Sequence, residues 1–151
     1  MSIVSVKEAA DFAAKAHGSQ QYGSLPYWHH LNAVYMNAKS YGGTKTEQTV
    51  AWLHDVIEDT KVTKQDIAKV FGALVAHLVD LVTNKSSKET TFKRIRTSKS
   101  AVFVKLCDRL ANVSEGGKLS MYRKWHQLFK SILYKRGEFE SLWKAIDQKL
   151  M

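Results

Sequence analysis

The decapeptide Ala51-Trp52-Leu53-His54-Asp55-Val56-Ile57-Glu58-Asp59-Thr60 sets one imidazole and three carboxylates inside an otherwise apolar run. Read as a continuous helix, it stacks His54 above Glu58 and Asp55 above Asp59, so one side of a single turn carries all four ionisable groups. Three acids that close repel one another until a cation separates them. A metal turns that repulsion into coordination: the adjacent His and Asp ligate one ion while the carboxylates of the next turn face its bound water. The flanking Trp52, Leu53, Val56 and Ile57 argue against a merely solvated acidic helix face.

A second stretch, Ala101 to Val113, is apolar apart from Lys105, Asp108, Arg109 and Asn112, spaced i, i+3, i+4 and i+7. That spacing is one polar stripe on a helix whose other faces are buried. A carboxylate on such a helix needs a partner, because an unpaired buried charge costs several kcal/mol or takes up a proton. Arg109 and a metal shared with His54 and Asp55 are the candidates. The third piece, Pro26-Tyr27-Trp28-His29-His30-Leu31-Asn32, carries two adjacent histidines, either of which has the chemistry of a ligand.

The order of these pieces is more specific than any one of them: a histidine, then His-Asp with Glu-Asp one turn on, then Asp with Asn one turn on. It resembles the HD superfamily of metal-dependent phosphohydrolases. The resemblance narrows over Ala13-Ala14-Lys15-Ala16-His17, Gly23 to His30, Leu53 to Thr60, Phe71-Gly72, Leu81-Val82-Thr83 and Val104 to Asn112, which are similar to the hydrolase domain of RelA/SpoT-type enzymes. At 151 residues the chain looks like the stand-alone version, the small alarmone hydrolases. That likeness implies a manganese-dependent enzyme that removes the 3′-pyrophosphate of guanosine tetra- and pentaphosphate.

Residue by residue, the resemblance places His30 on the first metal ligand, three positions after Tyr27 in a Pro-Tyr-x-x-His pattern, and leaves His29 as a neighbour. His54, Asp55 and Asp108 match the other ligands, a mixed nitrogen and oxygen set that suits Mn²⁺ or another octahedral divalent ion. Glu58 and Asp59 match the acids that handle the attacking water and its proton, and Asn112 the residue that positions water and substrate. Tyr27, Lys105, Lys118 and Tyr122 fall where substrate contacts are implied. The family's basic pair between His17 and Pro26 is missing: Gly18-Ser19-Gln20-Gln21-Tyr22-Gly23-Ser24-Leu25 holds neither Arg nor Lys. Recognition there is expected to fall to Tyr22 stacking and Gln20 or Gln21 hydrogen bonding. Leu31 also stands where the family usually has proline.

These residues need helices to hold them. One proline and few alternating β-branched runs predict an all-α chain, a compact single-domain bundle of about eight helices over 1–151. Helices are expected near 5–17, 29–41, 46–58, 63–71, 73–84, 98–116, 119–135 and 138–150. Ser5 with Glu8, and Thr44 with Glu47, supply capping boxes. Lys85 to Lys99, rich in Lys, Ser and Thr, is expected to be a mobile loop beside the site.

The composition, 44% hydrophobic, suffices for one core. No membrane span or signal peptide is expected, and the lone Cys107 reads as a core residue of a reducing cytoplasm. Lys and Arg outnumber Asp and Glu by 23 to 14, which points to a polyanionic partner such as a multiply phosphorylated nucleotide or a pyrophosphorylated RNA end. Self-association is compatible with the family. Two other readings stand beside the alarmone hydrolase: a phosphohydrolase of another nucleotide (a 2′-phosphate or triphosphate), and a binding module for an anion or RNA. The presence of both Glu58 and Asp59 argues against the binding module.

Overall fold

The computed structural model describes residues 5–151. The chain starts with α1 (Val6–His17), closed at its start by the Ser5–Glu8 capping box and at its end by Gly18 in the left-handed region at φ 56°. A short antiparallel hairpin, β1 (Gln21–Tyr22) and β2 (Leu25–Pro26), turns through Gly23 at φ 61°. Helices α2 (Trp28–Ser40), α3 (Lys45–Leu53), α4 (Val56–Asp59), α5 (Lys64–Phe71) and α6 (Ala73–Val82) follow. The chain then runs through α7 (Lys88–Arg96), α8 (Lys99–Ser114), α9 (Leu119–Leu133) and α10 (Glu140–Leu150).

Helix α8 is the axis of the fold and packs against α2, α3, α6, α7 and α10. Its Ala101, Val102, Phe103, Val104, Leu106, Cys107, Leu110, Ala111 and Val113 are all buried, which explains why so little of its circumference is polar. Asn37 Nδ2 of α2 donates to the Cys107 carbonyl at 3.0 Å and ties the two central helices in register. Gly43 lets the α2–α3 turn pass over α8, because a Cβ there would lie 2.7 Å from Phe103 Cε2. Burial raises the Cys107 thiol well above its ordinary range, so the residue is an inert part of the core.

The all-helical expectation holds, with three differences. The helix expected over 46–58 breaks after Leu53. His54 takes the backbone carbonyl of Ala51 through Nδ1 at 2.6 Å, and Asp55 adopts φ −107°, ψ 1° before α4 begins. A side chain that competes for a backbone carbonyl in the last turn, followed by a bridge-region residue, ends the regular ladder.

The segment 85–99, expected as a loop, contains α7. Ser87 caps it, and Thr91, Phe92 and Ile95 give it a buried face, with Phe92 edge-on to Phe129 at 5.2 Å. Two or three core contacts outweigh the polar composition of the rest. The hairpin between α1 and α2 is the third difference, too short for a periodic sequence pattern. Among the described residues no helix is long and apolar enough to cross a membrane.

Asp80 near the end of α6 gathers Lys85 Nζ (3.0 Å), Arg94 Nη2 (3.1 Å) and Lys64 Nζ (3.7 Å), linking α5, α6 and α7. Partial burial pushes this carboxyl up, but hydrogen bonds from Lys85 and Arg94 outweigh it and hold it below the usual carboxylate range. A depressed carboxyl contributes stability above its unfolded pKa and loses it as pH falls through the folded value. Asp80→Asn is therefore expected to lower stability by about 1–2 kcal/mol near neutral pH. In urea unfolding the gap to the parent protein should close on acidification below about pH 4.

Candidate active site

The break between α3 and α4 has a direct geometric result. Neighbouring residues on a regular helix point about 100° apart, yet here His54 Nε2 and Asp55 Oδ2 lie 3.0 Å from each other. From α2, His30 Nε2 reaches to 3.7 Å from the same Asp55 oxygen and 3.0 Å from Asp108 Oδ1 of α8. His54 Nε2 lies 3.3 Å from Asp108 Oδ1, so four side chains from three parts of the chain converge on one point. One ligand atom each of His30, His54 and Asp55 falls within a 4.8 Å cluster. Of the adjacent histidines, His30 points inward at 2% exposure while His29 is exposed.

The electrostatics of this cluster match a cation. The Ala51 carbonyl accepts from His54 Nδ1, which leaves the buried Nε2 as the nitrogen turned to the site, able to offer a lone pair to a metal once it carries no proton. Two carboxylates face that nitrogen. Burial pulls the His54 pKa down, but Asp55 and Asp108 outweigh it and raise it well above the ordinary histidine value. Burial pushes both carboxyls up. It is overcome by His54 at Asp55, and by Lys105 and His54 at Asp108, so both end below the usual range. Two acids held ionised around two imidazoles form a donor set that fits a divalent ion.

The surrounding groups orient the set. The Tyr27 hydroxyl donates to Asp55 Oδ2 at 2.5 Å, and burial and that carboxylate drive the phenol pKa far up, so it stays a donor. Lys105 Nζ donates to Asp108 Oδ2 at 3.2 Å, and Asn112 Nδ2 to Asp108 Oδ1 at 3.2 Å. Glu58 and Asp59 lie on the solvent side of α4. Glu58 accepts from the Asn84 backbone N–H at 3.0 Å, and Asp59 from Gln20 Nε2 at 3.1 Å. Partial burial raises Glu58 above its ordinary value, with Asp55 and Asp59 adding to the effect. The two acids thus border the cluster from α4, turned to the α6–α7 connection and to the hairpin respectively.

Other residues are placed differently from the sequence expectations. Arg109 makes no ion pair with Asp108; its guanidinium lies 3.8 Å from the Phe129 ring centre and 4.9 Å from that of Tyr122. Tyr122 is thereby packed under a buried cation. Lys118, at the start of α9 with φ 60°, is exposed, and its side chain forms no hydrogen bond or ion pair among the described residues. Tyr22 stacks on His30 at 4.6 Å with its ring 10° from parallel, and its hydroxyl donates to Asn112 Oδ1 at 2.8 Å. Helix α7 adds Lys88, whose ammonium is pushed down by burial and by the nearby charges of Lys105 and Arg109. No local pattern announces Lys88, because its place follows from how α7 packs.

An all-helical domain with paired histidines and aspartates converging in its interior defines the class of HD-type metal-binding domains. The family model described as HD domain matches residues 9–101, and the chain belongs to that family. It is 33% identical over 121 residues to the Danio rerio guanosine-3′,5′-bis(diphosphate) 3′-pyrophosphohydrolase MESH1, covering 72% of this chain and 67% of that protein. The MESH1 of Xenopus tropicalis is 34% identical over 123 residues, with 73% and 68% covered. A probable enzyme of the same name from Mycoplasma pneumoniae is 26% identical over 132 residues, 74% of this chain; the chain spans only 18% of its length. Among solved structures, a metazoan ortholog of SpoT described as hydrolysing ppGpp superposes with a TM-score of 0.82 at 24% identity, over 100% of this chain and 99% of that one, a likeness of fold.

The Tyr27–Asp55 hydrogen bond gives a test of the metal set. Tyr27→Phe is expected to weaken Mn²⁺ binding by about 10–100-fold, measured by calorimetric titration, with the helical circular dichroism unchanged.

Proposed function

We propose that the chain is a divalent-cation-dependent phosphohydrolase that removes the 3′-pyrophosphate of guanosine tetra- or pentaphosphate, with Mn²⁺ as its ion. The convergence of His30, His54, Asp55 and Asp108, with Glu58 and Asp59 beside them, carries this reading. The similarity to the MESH1 pyrophosphohydrolases over some seven-tenths of the chain supports the substrate. In the reaction, water attacks the phosphorus bonded to the 3′-oxygen and the P–O3′ bond breaks, so pyrophosphate leaves and the 3′-oxygen takes up a proton to give GDP or GTP.

His30, His54, Asp55 and Asp108 would hold the ion. When bound, it supplies Lewis-acid polarisation of the attacking water and of a phosphoryl oxygen. Glu58 or Asp59 receives the proton of that water; the raised Glu58 pKa brings it closer to the range of a useful base at neutral pH. Asn112 offers an amide beside Asp108 to orient water and substrate. Lys105, with Lys88 across from it, supplies positive charge for the pyrophosphate, while Tyr27 keeps Asp55 in place. Tyr122 and Lys118 belong to the outer rim of this reading, for a purine face and a distal phosphate. A pyrophosphorylated RNA end presents the same reacting group.

One observation favours a second reading. No Lys or Arg stands between Lys15 and Lys39, so the hairpin side of the site has no cation to offer a phosphate. A nucleotide with a different arrangement of phosphates would then be the better ligand.

Purified protein incubated with guanosine tetraphosphate and Mn²⁺ is expected to release GDP and pyrophosphate, resolved by ion-exchange chromatography. Chelation or the His54→Ala, Asp55→Ala double variant should abolish release. Glu58→Ala or Asp59→Ala should lower kcat by at least about 100-fold with metal still bound. Metal binding without turnover of this nucleotide would shift the reading to another phosphorylated substrate.

A further inference from the structure

The hairpin between α1 and α2 reaches into the site through two neutral side chains, and each ends on a group used in the proposed chemistry. Gln20 sits between His17 and Asp59. His17 Nδ1 lies 2.8 Å from Gln20 Oε1, and Gln20 Nε2 lies 3.1 Å from Asp59 Oδ2. A primary amide has one accepting end and one donating end. With its oxygen turned to His17 Nδ1–H, only the NH₂ end of Gln20 is left to meet the acid.

The same arrangement recurs two residues further on, in β1. The Tyr22 hydroxyl donates to Asn112 Oδ1 at 2.8 Å, which turns the Asn112 amide so that Nδ2 donates to Asp108 Oδ1 at 3.2 Å. Without that donor the two ends of the Asn112 amide are free to exchange places, and its oxygen would then confront a carboxylate. The Tyr22 ring also lies flat on His30 and fixes the plane of that imidazole. These links join residues 39 and 90 positions apart in the chain.

We propose that Gln20 and Tyr22 are positioning residues of the hydrolytic site, Gln20 aiming the Asp59 carboxylate and Tyr22 aiming the Asn112 amide and the His30 ring. Its kinetic part rests on the phosphohydrolase reading above. The hairpin acts by hydrogen-bond direction and not by charge, so it leaves the grip on phosphate to Lys105 and Lys88. Loss of either hydrogen bond should therefore change turnover more than substrate affinity.

The test uses Gln20→Met, Tyr22→Phe and Tyr22→Leu in the full chain, with two readouts. In steady-state hydrolysis of guanosine tetraphosphate with Mn²⁺, Gln20→Met and Tyr22→Phe are expected to lower kcat about tenfold, the loss of one hydrogen bond, with KM within about twofold. Tyr22→Phe keeps the stack on His30 and should bind Mn²⁺ like the parent, whereas Tyr22→Leu should bind it more weakly. The second readout needs no substrate: in the metal-free protein, nitrogen-15 NMR should find the Asn112 side-chain amide protons slow to exchange, and Tyr22→Phe should release them while leaving those of Gln20 unchanged.

Unchanged kcat in both variants would overturn the proposal, as would a raised KM at constant kcat, which would make the hairpin a substrate contact. Asn112 protons that exchange equally fast with and without the Tyr22 hydroxyl would overturn it too. If the parent protein turns over no guanosine tetraphosphate but the Asn112 protection depends on Tyr22, the substrate reading falls and the positioning contact stands.

Discussion

Two carboxylates and two imidazoles, all but Asp55 buried, face one another at about 3 Å in this domain. Such a group is electrostatically unstable by itself: burial disfavours each ionised acid, and each acid disfavours the other. A proton on His54 relieves the conflict in part, and a divalent ion held among these side chains would relieve it more completely. Much of the surrounding architecture reads as a means of enforcing this proximity. Helix α8 is buried around most of its circumference so that Asp108 cannot swing out, and Asn37 locks α2 against it so that His30 cannot retreat.

The break after Leu53 is the second structural requirement. A regular helix would spread His54 and Asp55 around its axis, and two consecutive residues would not reach the same ion. The His54–Ala51 hydrogen bond serves both ends at once. It stops the ladder of α3, and it fixes the ring so that Nε2 is the nitrogen that faces the acids. The loss of regular helix in a core position is small beside what a misdirected buried carboxylate would cost.

Around this centre the site is uneven in charge. Its cationic side chains come from α7 and α8, as Lys88 and Lys105, whereas the hairpin contributes only neutral aromatic and amide side chains. In a protein with an excess of basic residues, that asymmetry is a property of placement and not of composition.

The amino-acid sequence alone determined the all-helical class, most of the helices and the residue types at the centre. Capping boxes at Ser5 and Thr44, the apolar periodicity of α8 and the His-Asp and Asp-x-x-x-Asn spacings are encoded within about one turn of chain, where physical chemistry is local. Tertiary structure decided which of His29 and His30 turns inward and that α3 ends before Asp55. It made 85–99 largely helical and gave Arg109 aromatic rings in place of Asp108 as its neighbours. It also brought Gln20 to Asp59 and Tyr22 to Asn112. Those outcomes depend on how helices distant in sequence pack and rotate against one another. A meeting of side chains 39 or 90 residues apart is fixed by the packing of the whole core, and no short pattern carries it.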